Sequence, residues 1–352
     1  MSDDLGQRKN HHLDLVLDGD VEAPGVSSLL DDVHLVHDAL PDLDFDSVSL
    51  AVKLLGRTLR APILVTGMTG GTARAGAINR DLAAAAQTRG VALGVGSQRA
   101  MHRNPADAPT FRVRDVAPDV LLFGNIGAQQ IDGIGVKGVQ SLMEEIEADA
   151  LFVHLNPAQE LVQPGGDRAF RGCIDAIRRL ADVLGPRVWV KETGCGISRS
   201  VAHRLIGAGV GGLDISGAGG TSWTRVEQLR ATGTQERLGG ELKSWGIPTA
   251  AAVAATSDLG VPVVASGGVR SGIDVAKCLA LGATLGGMAR PILQAHARAG
   301  REGIEEELLV VETALRSALL LTGSADVAAL RRKPRVLTGD LPAWITALRS
   351  AE

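Results

Sequence analysis

The chain contains no tyrosine, and its few Phe and Trp residues bring aromatics to only 3% of 352 positions. Nucleic acid is held by stacking on aromatic rings and by a positive field along its backbone. The sequence offers neither, since its formal net charge is −4, so nucleic acid is not an expected partner. Cysteine is scarce as well: Cys173, Cys195 and Cys278 are odd in number and far apart. That argues against a disulfide framework or a Cys-rich zinc site and suits a reducing cytosol. Long apolar runs are missing too. The nearest, around residues 308–321, is broken by Glu312 and Arg316, which excludes a helix crossing a membrane. The opening MSDDLGQRKNHHLDL lacks the apolar stretch of a signal peptide, so the expected location is the cytoplasm.

What is present is a rhythm. Apolar runs at 63–66, 91–95, 120–123, 151–154, 188–191, 212–215, 261–265 and 284–287 alternate with helix-like stretches such as 77–89, 138–148, 172–184, 201–207 and 273–281. Continuous apolar runs suit parallel strands covered on both faces, joined by right-handed crossovers. Eight such units specify an α/β fold, a single (β/α)8 TIM barrel over 1–352; a six-stranded open sheet would leave two units over. Residues 1–60 read as an N-terminal extension. Residues 218–246 are long and polar for a plain connection after strand six. They are read as a lid, with a surface insertion as the alternative. Residues 301–352 read as one long helix followed by a solvated basic turn, RRKPR.

In such barrels the chemistry sits at the C-terminal ends of the strands. Here those ends read GMTGGT (67–72), GSQR (96–99), GNIGA (124–128), HLNPAQE (154–160), KETGCG (191–196), SGAGGTSW (216–223), SGGVRSG (266–272) and GMARP (287–291). Glycine at this density fits close approach of backbone to a ligand. Exposed N–H groups of Gly267 and Gly268, followed by a helix start and completed by the next strand's GMARP, make a cradle for a phosphate-bearing molecule. Lys191 follows Val188-Trp189-Val190 and is expected to point into the barrel mouth. There it can serve as a Schiff-base nucleophile, a substrate anchor or a partner of an electron-rich cofactor ring. Cys195 reads as a small buried residue.

These strand ends resemble the FMN-binding barrels, which include the 2-hydroxy-acid oxidases. RKNHH with His12, MTGG, GSQR, HLNPAQE, KETGCG and SGAGGTSW, in that order over nearly the whole chain, more closely resemble the type 2 isopentenyl diphosphate isomerase family. The resemblance implies interconversion of isopentenyl and dimethylallyl diphosphate with reduced FMN and Mg²⁺. It further implies NADPH as a transient reductant and a homo-oligomer, tetramer or octamer. It implies that Arg8, Lys9, His12, Ser97, Gln98, Arg99, His154, Asn156 and Gln159 hold the substrate. Gln159 is the catalytic candidate, in positioning first and proton relay second, and Glu160 contacts the metal. For FMN it implies Met68, Thr69, Gly70, Ser97, Asn125, Lys191, Ser216, Thr221, Gly267, Gly268, Ala289 and Arg290. His11 stands where family members often carry an acid, so either His11 or His12 is a candidate for the diphosphate. The runner-up, a hydroxy-acid oxidase, needs a His base and an Arg clamp after strand six, where this chain has Ser216-Gly217-Ala218-Gly219-Gly220.

Overall fold

A computed structural model describes residues 2–350. Eight parallel strands close a barrel in chain order: β1 (Ile63–Val65), β2 (Ala92–Gly94), β3 (Leu122–Gly127), β4 (Ala150–His154), β5 (Val188–Lys191), β6 (Gly212–Asp214), β7 (Val263–Ala265) and β8 (Leu285–Met288). Each coincides with one of the apolar runs; β3 extends further toward its C-terminus than its run does, through Asn125 to Gly127.

Side chains alternate in and out along a strand, and the inward ones form two distinct layers. The lower is an apolar plug of Leu64, Phe123, Phe152, Trp189, Val264 and Leu285, closed from below by Leu54 and Leu59 of a short antiparallel hairpin. Three of the chain's nine aromatics meet here. Phe123 and Phe152 stack at 4.4 Å between ring centroids, and both meet Trp189 edge-on at 5.4 and 6.2 Å. Offset-stacked and edge-on pairs add about 0.5–1.5 kcal/mol each beyond burial. Gly212 leaves room for the plug, because a Cβ there would lie 2.6 Å from the Trp189 ring. Two residues further along the same strands every inward position is polar or glycine: Thr66, Gly96, Asn125, His154, Lys191, Asp214, Ser266 and Gly287.

The extension is integral to the core. Its helix Ser2–Asp18 buries Leu13 and Val16 among barrel residues, and Val33–Leu35 pairs antiparallel with Arg335–Leu337. The tail differs from the single helix expected. The helix Arg290–Leu321 begins at the end of β8 and breaks at Ala299–Gly300; Val327–Arg332, the paired strand and Leu341–Ser350 follow. RRKPR is therefore not a free turn, since Arg331 donates to the Ala283 carbonyl at 2.6 Å and Arg335 opens a paired strand.

The 218–246 segment forms two helices, Trp223–Arg230 and Gly233–Leu242, packed on each other and on the short helix Pro157–Val162 after β4. Thr224, Val226 and Glu227 are buried in the contact. Among the described residues no helix is long and apolar enough to cross a membrane.

Candidate active site

Above the polar layer lies a cavity of about 310 Å³, bounded by all eight strand ends and the N-terminal helix. Its walls differ in chemistry. Arg8, Lys9, Arg99 and His12 gather on one side. Burial, Arg8 and a weaker opposing pull from Asp107 bring the Lys9 ammonium down to about 8. Burial lowers Arg99 as well, followed by the charge of Arg103 and, more weakly, Arg8. Lys9 spans the strand ends, donating to the carbonyls of Gly70 and, at 3.4 Å, Ser97. The half-buried Arg99 has no hydrogen-bond or ion-pair partner among the described residues. Cations crowded together out of water repel one another, and an anion between them relieves that repulsion.

The β4 end faces this group. Asn156, buried, donates to Gln159 Oε1 at 3.2 Å and Glu160 Oε1 at 2.9 Å, so one amide orients both. Glu160 Oε2 accepts from the Asp167 N–H at 2.7 Å and from Gln163 at 3.3 Å. His154 Nδ1 lies 2.8 Å from Asn125 Oδ1, while Asn125 Nδ2 donates to the Val95 carbonyl. That network puts the His154 proton on Nδ1 and leaves Nε2 an acceptor. Burial, with the charges of Lys191 and Arg99, pushes His154 down to about 3. The ring is neutral, and it meets a phosphate as a donor only if the phosphate draws a proton onto Nε2.

The remaining candidates divide. Met68, Thr69, Ser97, Asn125, Lys191, Ser216, Thr221, Gly267, Gly268, Ala289 and Arg290 all lie in the wall. Gln98 does not. It is fully buried beneath, donating to the Leu142 carbonyl at 2.7 Å and accepting from the Asn125 N–H at 3.0 Å, so it braces the β3 end instead of facing the cavity. Gly70 is also behind the wall, against the Phe111 ring. Arg290 lines the cavity, yet its guanidinium is committed to Val16 O at 2.9 Å, Gly19 O at 3.1 Å and Glu22 at 3.1 Å. It fastens the extension, and a phosphate is left chiefly to backbone. His12 faces inward and His11 outward. Cys195 is half-buried; burial and Glu192 push its thiol to about 12, which keeps it protonated and inert.

Glu227, from the insertion, is absent from the sequence candidates. Its side chain is fully buried, pairs with His12 at 2.8 Å and Arg230 at 2.6 Å, and meets Gln159 Nε2 at 3.4 Å. His12 also lies edge-on to Trp223, with centroids 5.2 Å apart. The N-terminal helix, the insertion and the β4 end thus converge on one carboxylate. A lone acid in the polar run WTRVEQLR carries no sequence signal that distinguishes it from a solvated one.

Other parts of the lining fit FMN. Thr69 Oγ1 and Ser97 Oγ are buried without hydrogen-bond partners, as expected of hydroxyls awaiting a polar ring edge. Gly267 and Gly268 have φ of +96° and +72°. A Cβ on Gly268 would lie 2.5 Å from the Gly219 carbonyl, so the β6 and β7 loops meet backbone to backbone. Lys191 Nζ, held by the Glu192 carbonyl at 2.6 Å, brings a cation to the floor. For a divalent cation the donors are sparser: no group of three or more His, Cys, Asp or Glu suited to a metal occurs among the described residues. Glu160 is a single oxygen-donor group, which suits Mg²⁺ shared with a ligand's phosphate oxygens.

Comparison with known proteins agrees with this arrangement. Residues 137–337 match the model of the FMN-dependent dehydrogenase family. The chain is 47% identical over 337 residues to an isopentenyl-diphosphate delta-isomerase from a Synechococcus species, covering 95% of this chain and 96% of that one. It is 44% identical over 338 residues to the enzyme of that name from Methanosarcina barkeri, with coverages of 95% and 92%. Among solved structures, a mutant flavocytochrome b2 with pyruvate bound superposes with a TM-score of 0.69 at 19% identity, covering 97% of this chain and 84% of that one. A lactate oxidase from Pediococcus acidilactici gives 0.65 at 16% identity, with coverages of 96% and 94%. At those identities the likeness is one of fold. Sequence relatives and site together assign the chain to the isopentenyl-diphosphate delta-isomerase family, built on the FMN-dependent dehydrogenase barrel.

Proposed function

We propose that the protein converts isopentenyl diphosphate to dimethylallyl diphosphate, moving a carbon–carbon double bond by adding a proton at one carbon and removing one from another. The observation that carries this reading is the cluster of Arg8, Lys9 and Arg99 facing Gln159 and Glu160 across one cavity. A small substrate with a diphosphate at one end and an apolar unit at the other fits that polarity. Arg99 supplies a planar fork to phosphate oxygens and Lys9 a point charge. Glu160 holds Mg²⁺, and Asn156 keeps its carboxylate turned toward the cavity. Gln159, fixed between Asn156 and Glu227, sets the alkene in place; its amide is too weak an acid to deliver a proton alone, so it positions first and relays second. Lys191 offers positive charge to an anionic reduced ring. When bound, reduced FMN supplies an electron-rich ring able to exchange a proton, and Mg²⁺ shields the diphosphate.

NADPH or another donor keeps the flavin reduced, and the 218–246 helices act as a lid that FMN and substrate order. Equal proteolysis of that segment with and without them would count against the lid. The structures sharing the fold include oxidases, but the wall after β6 offers Ser216, Gly220 and Thr221, with no base to take a hydroxyl proton and no clamp for a carboxylate. The deciding assay is anaerobic: protein, FMN, Mg²⁺, a reductant and isopentenyl diphosphate, with the dimethylallyl product followed. Turnover only with reduced FMN supports the isomerase. Flavin bleached by a 2-hydroxy acid without isomerisation would support the oxidase instead.

A further inference from the structure

A second cavity, of about 420 Å³, lies outside the barrel between the helices that follow β3, β4 and β5. Its walls are mainly apolar, with Phe170, Ile174, Ile177, Val201 and Leu205 among them, and its polar lining includes two guanidiniums, Arg171 and Arg204. Both are exposed, and neither has a hydrogen-bond or ion-pair partner among the described residues. The neighbouring cations are spent: Arg178 pairs with Asp175 at 2.7 Å and Arg179 with Asp132. Asp167 turns its carboxylate onto its own loop, accepting from the Ala169 N–H at 3.2 Å. An apolar hollow with a few convergent polar groups is the usual form of a small-molecule site, and here the unspent polar groups are cationic and suited to phosphate.

Asn156 belongs to the walls of both cavities. From the outer one, Gln129 reaches Asn156 Oδ1 at 3.5 Å; toward the inner one, Asn156 holds Gln159 and Glu160. We propose that the outer cavity is a second ligand site, for a soluble amphiphile whose hydrocarbon chain lies against Val201 and Leu205 and whose phosphate or diphosphate head is held by Arg171 and Arg204. Its occupant presses on the amide that orients the metal-binding carboxylate, so the two sites influence each other's affinity, and thermodynamics makes that influence reciprocal. The binding stands independently of the isomerase reading; the coupling rests on it.

Octyl phosphate tests both. It is titrated calorimetrically into FMN-loaded enzyme kept oxidised, so that nothing turns over, with Mg²⁺ and isopentenyl diphosphate saturating the barrel. One saturable site is expected. Arg171→Glu and Arg204→Glu, at exposed positions, weaken it at least tenfold each, and Val201→Trp fills the hollow and abolishes it. Inorganic phosphate and octanol each bind at least tenfold more weakly than octyl phosphate. In the wild type, octyl phosphate shifts the Kd for isopentenyl diphosphate at least threefold, and in Val201→Trp it does not. Absence of saturable binding, or equal binding by all three variants, overturns the site. An unchanged Kd for isopentenyl diphosphate overturns the coupling. If Val201→Trp alters sedimentation of the unliganded protein, the face is a contact between copies and the proposal fails.

Discussion

The two inward layers of the barrel are built from the same strands, two residues apart, and they obey opposite rules. Phe123, Phe152 and Trp189 fill the lower layer; Asn125, His154 and Lys191 replace them in the upper one. Below, the side chains pack on apolar neighbours, with the Trp189 N–H satisfied by the Pro186 carbonyl at 3.2 Å, and burial is gain. Above, burial is paid for in displaced protonation: His154 is driven down to about 3, and Asp214, fully buried with Oδ2 unpartnered, has its carboxyl pushed up by desolvation. The plug holds the polar groups at fixed separations, and those groups store the cost that a ligand later relieves.

That contrast breaks if a substitution in the cavity above the polar layer behaves like one in the plug. The largest expected effect is on rate. Gln159→Leu should lower kcat by roughly 10²- to 10⁴-fold, the range of a positioned proton-transfer group, with flavin content and Tm unchanged; a parallel fall in Tm would mean the polar groups above the plug also carry stability. Next is stability. Trp189→Ala empties the centre of the plug and should cost about 3–5 kcal/mol in chemical denaturation, while the rate per folded, flavin-loaded molecule holds within a few-fold. Arg99→Ala should raise KM for isopentenyl diphosphate roughly tenfold to a hundredfold, from the loss of about 1.5–3 kcal/mol of charge-assisted bonding, and leave kcat nearly intact. The smallest effect is a pH dependence. Lys9 is held at about 8 in the free protein, so its charge is present below that value and lost as pH rises through it. KM should climb above pH 8, and Lys9→Arg, which stays charged, should flatten the rise.

The strands were legible because parallel strands covered on both faces need short apolar runs, and eight appear, although Asp214 interrupts that of β6. The layer boundary was legible in the same way, as the point where each run turns to glycine or polar residues. Direction was harder. GSQR offers three polar side chains in succession, and only the fold shows that Ser97 and Arg99 face the cavity while Gln98 turns into the wall. Partners distant in sequence were not legible at all. The pairing of Val33–Leu35 with Arg335–Leu337 joins the two ends of the chain, and neither segment has a pattern that names the other. Glu227 was hidden for the same reason: its importance comes from His12 and Gln159, which tertiary structure alone brings to it.

The fastening of the extension has a consequence in time. Arg290 grips Val16, Gly19 and Glu22, and Arg270 adds a second hold on Glu22 at 2.9 Å. Synthesis at roughly 5–20 residues per second means that these clasps emerge roughly a quarter of a minute to a minute after the segment they secure. Arg8, Lys9 and His12 are among the first side chains made and among the last to reach their working positions. A ribosome stalled before β8 would carry most of a barrel whose N-terminal arm still lacks its Arg290 clasp.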